Sequence, residues 1–175
     1  MDREEKDFLL EKIMIDYGNE LVRLAFSYVK DSETAKDLVQ NTFIKCYKNL
    51  ELFRFEAQIK TWLYRITINE CKDYLKSWHY KMVQVKSLIH ETAKSIYPST
   101  EKIVIDKYKN EEIKDTIFSL PKVYREVVYL YYYDSLKADE IADILDIPVN
   151  TVKTRLRRAK QRLELIIKEA ELNGR

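Results

Sequence analysis

The sequence predicts an all-α protein of two small helical domains joined by a linker, the C-terminal domain containing a helix-turn-helix. Three observations carry that prediction. The 175 residues include only 2 glycines and 3 prolines, so little punctuates long helices. Apolar residues recur at spacings of three and four, and no stretch shows the polar–apolar alternation of a half-buried strand. Hydrophobic residues make up 46% and charged residues 34%, which supports packed cores and argues against wholesale disorder. At this length each half buries only a modest core, and two small domains suit it.

The same composition excludes several classes of function. No apolar run approaches the roughly 20 residues of a membrane span. The opening Met1-Asp2-Arg3-Glu4-Glu5 lacks a signal peptide's apolar centre, so a cytoplasmic protein without membrane insertion is expected. Cys46 and Cys71 have no CxxC partner and read as reduced, partly buried thiols. With His79 and His90 they show none of the usual metal-ligand spacings, and no metal is expected. No nucleophile–histidine pattern and no phosphate-cradling glycine loop occurs, so neither an enzyme nor a cofactor is expected.

From the N-terminus, Leu21, Leu24, Ala25, Tyr28 and Val29 mark one helix face. Asp31 or Ser32 then offers a cap for a second helix. Its stripe Ala35, Leu38, Val39, Thr42, Phe43, Cys46, Tyr47 and Leu50 is core for more than four turns. The opposite face carries Lys36, Asp37, Gln40, Asn41, Lys45 and Lys48, and its mixed polarity by itself fits solvent surface better than a protein contact. Periodicity is lost from Glu51 to Ile59, a candidate loop containing Phe53, Arg54 and Phe55.

A third helix is expected from about Lys60 to Lys76, with Trp62, Leu63 and Ile66 inward and Lys60, Tyr64, Arg65, Asn69 and Lys72 outward. Interleaved bases and aromatics of this kind line single-strand nucleic-acid surfaces, but ordinary lysines and a packed tyrosine fit the pattern equally. These elements form a first domain over residues 1–76. Residues 77–100 lack a sustained stripe, contain Tyr97-Pro98-Ser99, and read as a linker with short helical stretches. The second domain spans residues 101–175. Helix resumes from about Ser99 to Leu120, stops at Pro121, and restarts with Tyr124, Val127, Val128 and Tyr131 as its buried face.

The most specific signal begins at Ala138. A short helix Asp139–Leu145 is followed by a break at Asp146-Ile147-Pro148 and a long helix from Val149 to about Ile167. Close crossing in a helix-turn-helix needs a small residue on the first helix and branched apolar residues on the second, and Ala142 and Val152 supply them. Val149, Val152, Leu156, Ala159, Leu163 and Ile166 point inward at helical spacing, which turns Thr151, Lys153, Thr154, Arg157, Arg158, Gln161 and Arg162 outward. Charge reverses abruptly here. Tyr133 to Pro148 carries one basic and five acidic residues, while Asn150 to Leu163 carries six basic and no acidic ones. Such a helix fits a DNA major groove, with arginine pairing to guanine; docking on an acidic protein or a membrane surface is the competing reading of the basic face.

Two blocks upstream add specificity. Ala35-Lys36-Asp37-Leu38-Val39-Gln40-Asn41-Thr42-Phe43 and Lys60-Thr61-Trp62-Leu63-Tyr64-Arg65-Ile66 with Asn69 are similar to the second conserved region of the sigma-70 superfamily. Ser119-Leu120-Pro121, Asp139-Glu140-Ile141-Ala142 and Thr151-Val152-Lys153-Thr154-Arg155-Leu156 with Arg158-Ala159 are similar to its fourth. Over nearly its whole length the chain resembles the extracytoplasmic-function (ECF) group of sigma factors.

That resemblance implies a promoter-recognition and DNA-melting subunit responsive to stress or envelope signals. Asp37, Gln40, Asn41 and Ile44 would bind core RNA polymerase, against the solvent-surface reading above. Arg54, Lys60, Tyr64, Arg65, Asn69 and Lys72 would bind the opened minus-ten element of promoter DNA, with a base extruded beside Asn69. Thr151, Lys153, Thr154, Arg157, Arg158 and Arg162 would read the minus-thirty-five duplex. An anti-sigma factor, in some cases membrane-anchored, is the implied inhibitory partner.

The sequence departs from the family at the turn, where Asp146 and Asn150 replace frequent glycines, and at Lys137, which replaces a serine cap and predicts a less firmly started helix. A stand-alone helix-turn-helix regulator whose first domain senses or dimerises is the alternative. A protein-binding helical adaptor is a third class.

Overall fold

The computed structural model describes residues 2–51, 59–88 and 111–173. Among them the only regular structure is helical, and the chain divides into two compact units, Met1–Ile103 and Val104–Arg175.

The first unit holds α1 (Arg3–Val29), α2 (Ser32–Asn49) and α3 (Ile59–Leu88), each packed on the other two. α1 starts firmly because Asp2 Oδ1 accepts from the Glu5 backbone N–H at 2.8 Å while Glu5 Oε2 accepts from that of Asp2 at 3.1 Å. Of the two candidate caps for α2, Asp31 is the one used: its Oδ2 accepts from the Thr34 N–H at 2.8 Å. The α2 stripe Ala35, Leu38, Val39, Thr42, Phe43, Cys46 and Leu50 is buried as its spacing predicts, with Tyr47 at its edge. It meets Leu21, Leu24 and Ala25 of α1 and Leu63, Ile68 and Cys71 of α3 in one core. Each fully buried leucine there contributes about 1.5–3 kcal/mol of transfer free energy. Thr42 and Thr67 enter this core because their hydroxyls donate to the carbonyls of Leu38 (3.0 Å) and Leu63 (2.9 Å) one turn back.

α3 continues to Leu88, beyond the end expected near Lys76. The expectation equated the end of the apolar stripe with the end of the helix, yet nothing between Lys76 and Leu88 is a glycine or proline that would break it. The candidate loop, apart from Glu51 and Ile59, the expected linker from Ile89 onward, and the start of the following helix as far as Asn110 lie outside the described residues.

The second unit comprises α4 (Glu111–Ser119), α5 (Lys122–Val128), a π-helical turn (Tyr129–Tyr133), α6 (Ala138–Leu145) and α7 (Val149–Asn173). Ile117, Leu120, Val128 and Ala159 form a core cluster, with Tyr124, Tyr133 and Leu163 packed against it. The π turn corrects one expectation. Tyr131, placed inward by a 3.6-residue period, is 42% exposed, while Tyr129 and Leu130 are buried. The Asp134 N–H reaches back five residues to the Tyr129 carbonyl at 3.3 Å, and this wider turn rotates the face away from the simple period.

Candidate nucleic-acid interface

α6, the turn and α7 form the expected helix-turn-helix. Ala142 on α6 and Val152 on α7 are both buried where the helices pack, together with Ile141, Ile144 and Leu145. The turn survives without glycine because Asp146 adopts the left-handed region (φ 54°, ψ 52°), which aspartate tolerates better than most residues. Asn150 has no positive φ and sits in the first turn of α7, so glycine is not needed there. Lys137 supplies no side-chain cap, but Glu140 Oε2 accepts from the Lys137 N–H at 2.7 Å and anchors the start of α6 from within.

Along α7, Val152 and Ala159 are fully buried and Val149, Leu156, Leu163 and Ile166 are half-buried. Lys153, Arg157, Arg158 and Arg162 are exposed, and Thr151 and Thr154 are half-exposed between them. Thr151, Thr154 and Arg158 line a shallow groove of about 390 Å³ with Asn150, Arg155 and, from α5, Val123 and Tyr124. The Arg162 guanidinium lies over the Tyr124 ring at 5.1 Å, which steadies it without burying its charge. The helical period leaves Arg155 out of the outward set, but it gives no sign of the partner that holds this side chain. Its Nη1 donates to Glu126 Oε1 on α5 at 2.9 Å, and the Glu126 side chain is only 5% exposed.

In the first unit, Asp37, Gln40 and Asn41 are exposed and Ile44 is 52% exposed, all on the side of α2 opposite its buried stripe. The residues expected on one outer face of α3 fall on two. Arg65 and Asn69 are exposed and Lys72 is half-exposed, and the half-buried Trp62 and Ile66 lie at helical spacing on the Asn69 side. Lys60 and Tyr64 are corrections. Tyr64 is fully buried, and Lys60 Nζ pairs with Glu20 Oε1 of α1 at 2.8 Å while lying 5.3 Å from the centre of the Tyr64 ring. The inward face is Leu63, Tyr64, Thr67, Ile68 and Cys71, turned from the expected one because a tyrosine ring and a lysine stem supply apolar surface that polarity alone conceals. Arg54 lies outside the described residues.

Both cysteines are buried and outside any disulfide, and burial pushes the Cys46 thiol up to about 11. Among the described residues no three histidine, cysteine or acidic side chains gather as metal ligands, and no helix is long and apolar enough to cross a membrane.

Comparison with known proteins matches both units. Residues 13–79 match sigma-70 region 2 and residues 110–163 match sigma-70 region 4. The chain is 32% identical over 165 residues to the RNA polymerase sigma factor SigV of Bacillus subtilis, covering 94% of this chain and 95% of that protein. The chain belongs to the sigma-70 family, within its ECF group. It is also 33% identical over 156 residues to the ECF RNA polymerase sigma-E factor of Haemophilus influenzae, covering 85% of this chain and 82% of the relative. The sigma factor RpoE of Bartonella quintana, solved in complex with the anti-sigma factor NepR, shares the fold at a TM-score of 0.71 and 24% identity over 93% of this chain and 98% of that one. This protein is thus an RNA polymerase sigma factor, and the stand-alone regulator is not favoured. Its helix-turn-helix is the region 4 element and its three-helix unit the region 2 element.

Proposed function

We propose that this ECF sigma factor works by three separate surfaces. Asp37, Gln40, Asn41 and Ile44 on α2 dock on core RNA polymerase. Arg65, Asn69 and Lys72 on α3, with Arg54 from the preceding segment, hold the opened minus-ten strand of promoter DNA. Lys60 acts on that strand only through the field of its charge, and Tyr64 acts by supporting α3 from within.

Base extrusion beside Asn69 costs a few kcal/mol, and stacking at roughly 1–3 kcal/mol per base offsets it. Thr151, Lys153, Thr154, Arg157, Arg158 and Arg162 read the minus-thirty-five duplex, where one bidentate arginine–guanine pair supplies about 1–3 kcal/mol of discrimination.

The observation that carries this reading is the exposed basic face of α7, fixed by the buried Val152 and Ala159 and presented by a tight left-handed turn at Asp146. The protein acts in the cytoplasm without cofactor or catalysis of its own. An anti-sigma factor, the kind of partner with which the Bartonella quintana factor was solved in complex, holds this protein inactive until a stress or envelope signal releases it, and in some settings that partner is membrane-anchored.

Run-off transcription with purified core polymerase and the full chain on a genomic library tests the scheme. Lys153→Ala and Arg158→Ala should abolish upstream protection and keep core binding. An Asp37→Ala and Gln40→Ala double variant should do the reverse. A holoenzyme that protects no DNA upstream of any start site overturns it.

A further inference from the structure

We infer that Arg155 is a positioning residue: through its ion pair with Glu126 it sets the rotation of α7 about its own axis, and it does not touch DNA. This rests on the reading of α7 as the duplex-reading helix. By charge count Arg155 stands equal to its neighbours in the basic run, but its guanidinium turns back to α5, 2.9 Å from a carboxylate whose side chain is 5% exposed. An ionised carboxylate is tolerated at such burial only when paired, and the planar guanidinium fixes the direction of the pair as well as its existence.

The seam of α7 explains why a fixed direction is needed. Its two fully buried residues are Val152 and Ala159, short side chains that permit close approach but give little leverage against rotation. A long side chain reaching from α7 to a fixed point on α5 supplies that leverage. The consequence falls on the groove that Arg155 shares with Thr151, Thr154 and Arg158. With side-chain tips about 5–6 Å from the helix axis, a rotation of roughly 10° moves them by about 1 Å. Productive polar contacts tolerate about half that displacement. Phosphate contacts by the flexible, exposed Lys153 and Arg157 tolerate far more.

The test uses the full chain and a duplex library randomised over one helical turn, read by sequencing of bound DNA and by the salt dependence of binding. Arg155→Met removes the guanidinium that faces the buried Glu126 carboxylate and risks unfolding the unit, so Arg155→Met with Glu126→Met is the second variant, since an apolar pair commonly replaces a buried ion pair without loss of stability.

The proposal expects the double variant to fold, to lose about tenfold in discrimination between preferred and mismatched sequences, and to keep the wild-type slope of log affinity against log salt. Arg155→Lys, which retains a cation opposite Glu126, should recover part of the discrimination. A slope shallower by about 1 would make Arg155 a phosphate contact and overturn the proposal. Full discrimination in a folded double variant would overturn it as well. Lys153→Ala and Arg158→Ala serve as controls: if these also bind with unchanged slope and preference, the duplex-reading assignment of α7 fails instead.

Discussion

Replacing Asp146 measures how much the helix-turn-helix depends on its left-handed corner. At φ 54° and ψ 52° the residue holds a conformation that costs an ordinary L-residue roughly 1–2 kcal/mol, less for aspartate. The backbone around it is committed to that geometry: the Asp146 N–H bonds to the Ala142 carbonyl at the end of α6, and the Ile147 N–H reaches the same oxygen at 3.1 Å. Asp146→Ala should therefore destabilise the second unit by about 1 kcal/mol. Asp146→Gly removes the steric cost but adds unfolded-state entropy of about 0.4–1 kcal/mol, so it should fall within about 0.5 kcal/mol of wild type.

For a unit this small, 1 kcal/mol corresponds to a shift in Tm of about 4–8 °C. The assay has an internal control, because both tryptophans, Trp62 and Trp78, lie in the first unit. Tryptophan fluorescence should give the same transition in all three proteins, while helical circular dichroism should show an earlier component in Asp146→Ala alone. An Asp146→Ala variant that melts with wild type would refute the left-handed corner. An equal shift in the tryptophan signal would refute the assignment of the effect to the second unit.

Three further outcomes follow from local chemistry. The Asp31 carboxyl is held below its ordinary value of 3.8 by hydrogen bonds from the Thr34 hydroxyl and N–H, so its capping contribution is present above that value and fades as pH falls through the lower folded value. Asp31→Ala should cost about 1 kcal/mol at neutral pH with the difference shrinking in acid, whereas Asp31→Asn should cost less and remove that part of the acid dependence, both read by denaturant titration across pH. Burial and the raised Cys46 thiol predict that neither Cys46 nor Cys71 reacts with iodoacetamide at pH 8 until denaturant is added; fast native labelling followed by mass spectrometry would contradict the packing. Lys60→Ala should lower stability by up to about 1 kcal/mol through loss of the Glu20 pair, while Asn69→Ala should leave melting unchanged and weaken binding to a minus-ten single strand, as measured by fluorescence anisotropy.

Where a stripe follows the helical period, sequence reads structure well, and α2 is the clearest case: every residue from Ala35 to Leu50 assigned inward is buried or sits at the edge of the core. The misreadings have separate physical causes. Polarity alone places Lys60 and Tyr64 outward, although a lysine stem and a tyrosine ring cover apolar surface as a leucine does. A 3.6-residue period places Tyr131 inward because a five-residue turn has no signature in it. The extension of α3 to Leu88 escapes a reading that infers helix from a buried face, because its further turns carry no such stripe.

The basic run of α7 shows the same limit at the site itself. Six positive charges in fourteen residues identify an anion-facing helix, and the apolar period leaves Arg155 and Lys160 out of the outward set, but neither reading finds a partner for Arg155. The fold divides them. Arg155 turns inward to Glu126, while Lys153, Arg157, Arg158, Lys160 and Arg162 remain as the exposed positive edge, with Arg162 resting over Tyr124. That division arises from α5, whose sequence shows no charge pattern that would single it out. Glu126 reads as an ordinary acidic residue until its burial is known, and only then does its pair with Arg155 account for one arginine turning away from the DNA side. A basic helix therefore needs its acidic partners located before its DNA contacts are counted.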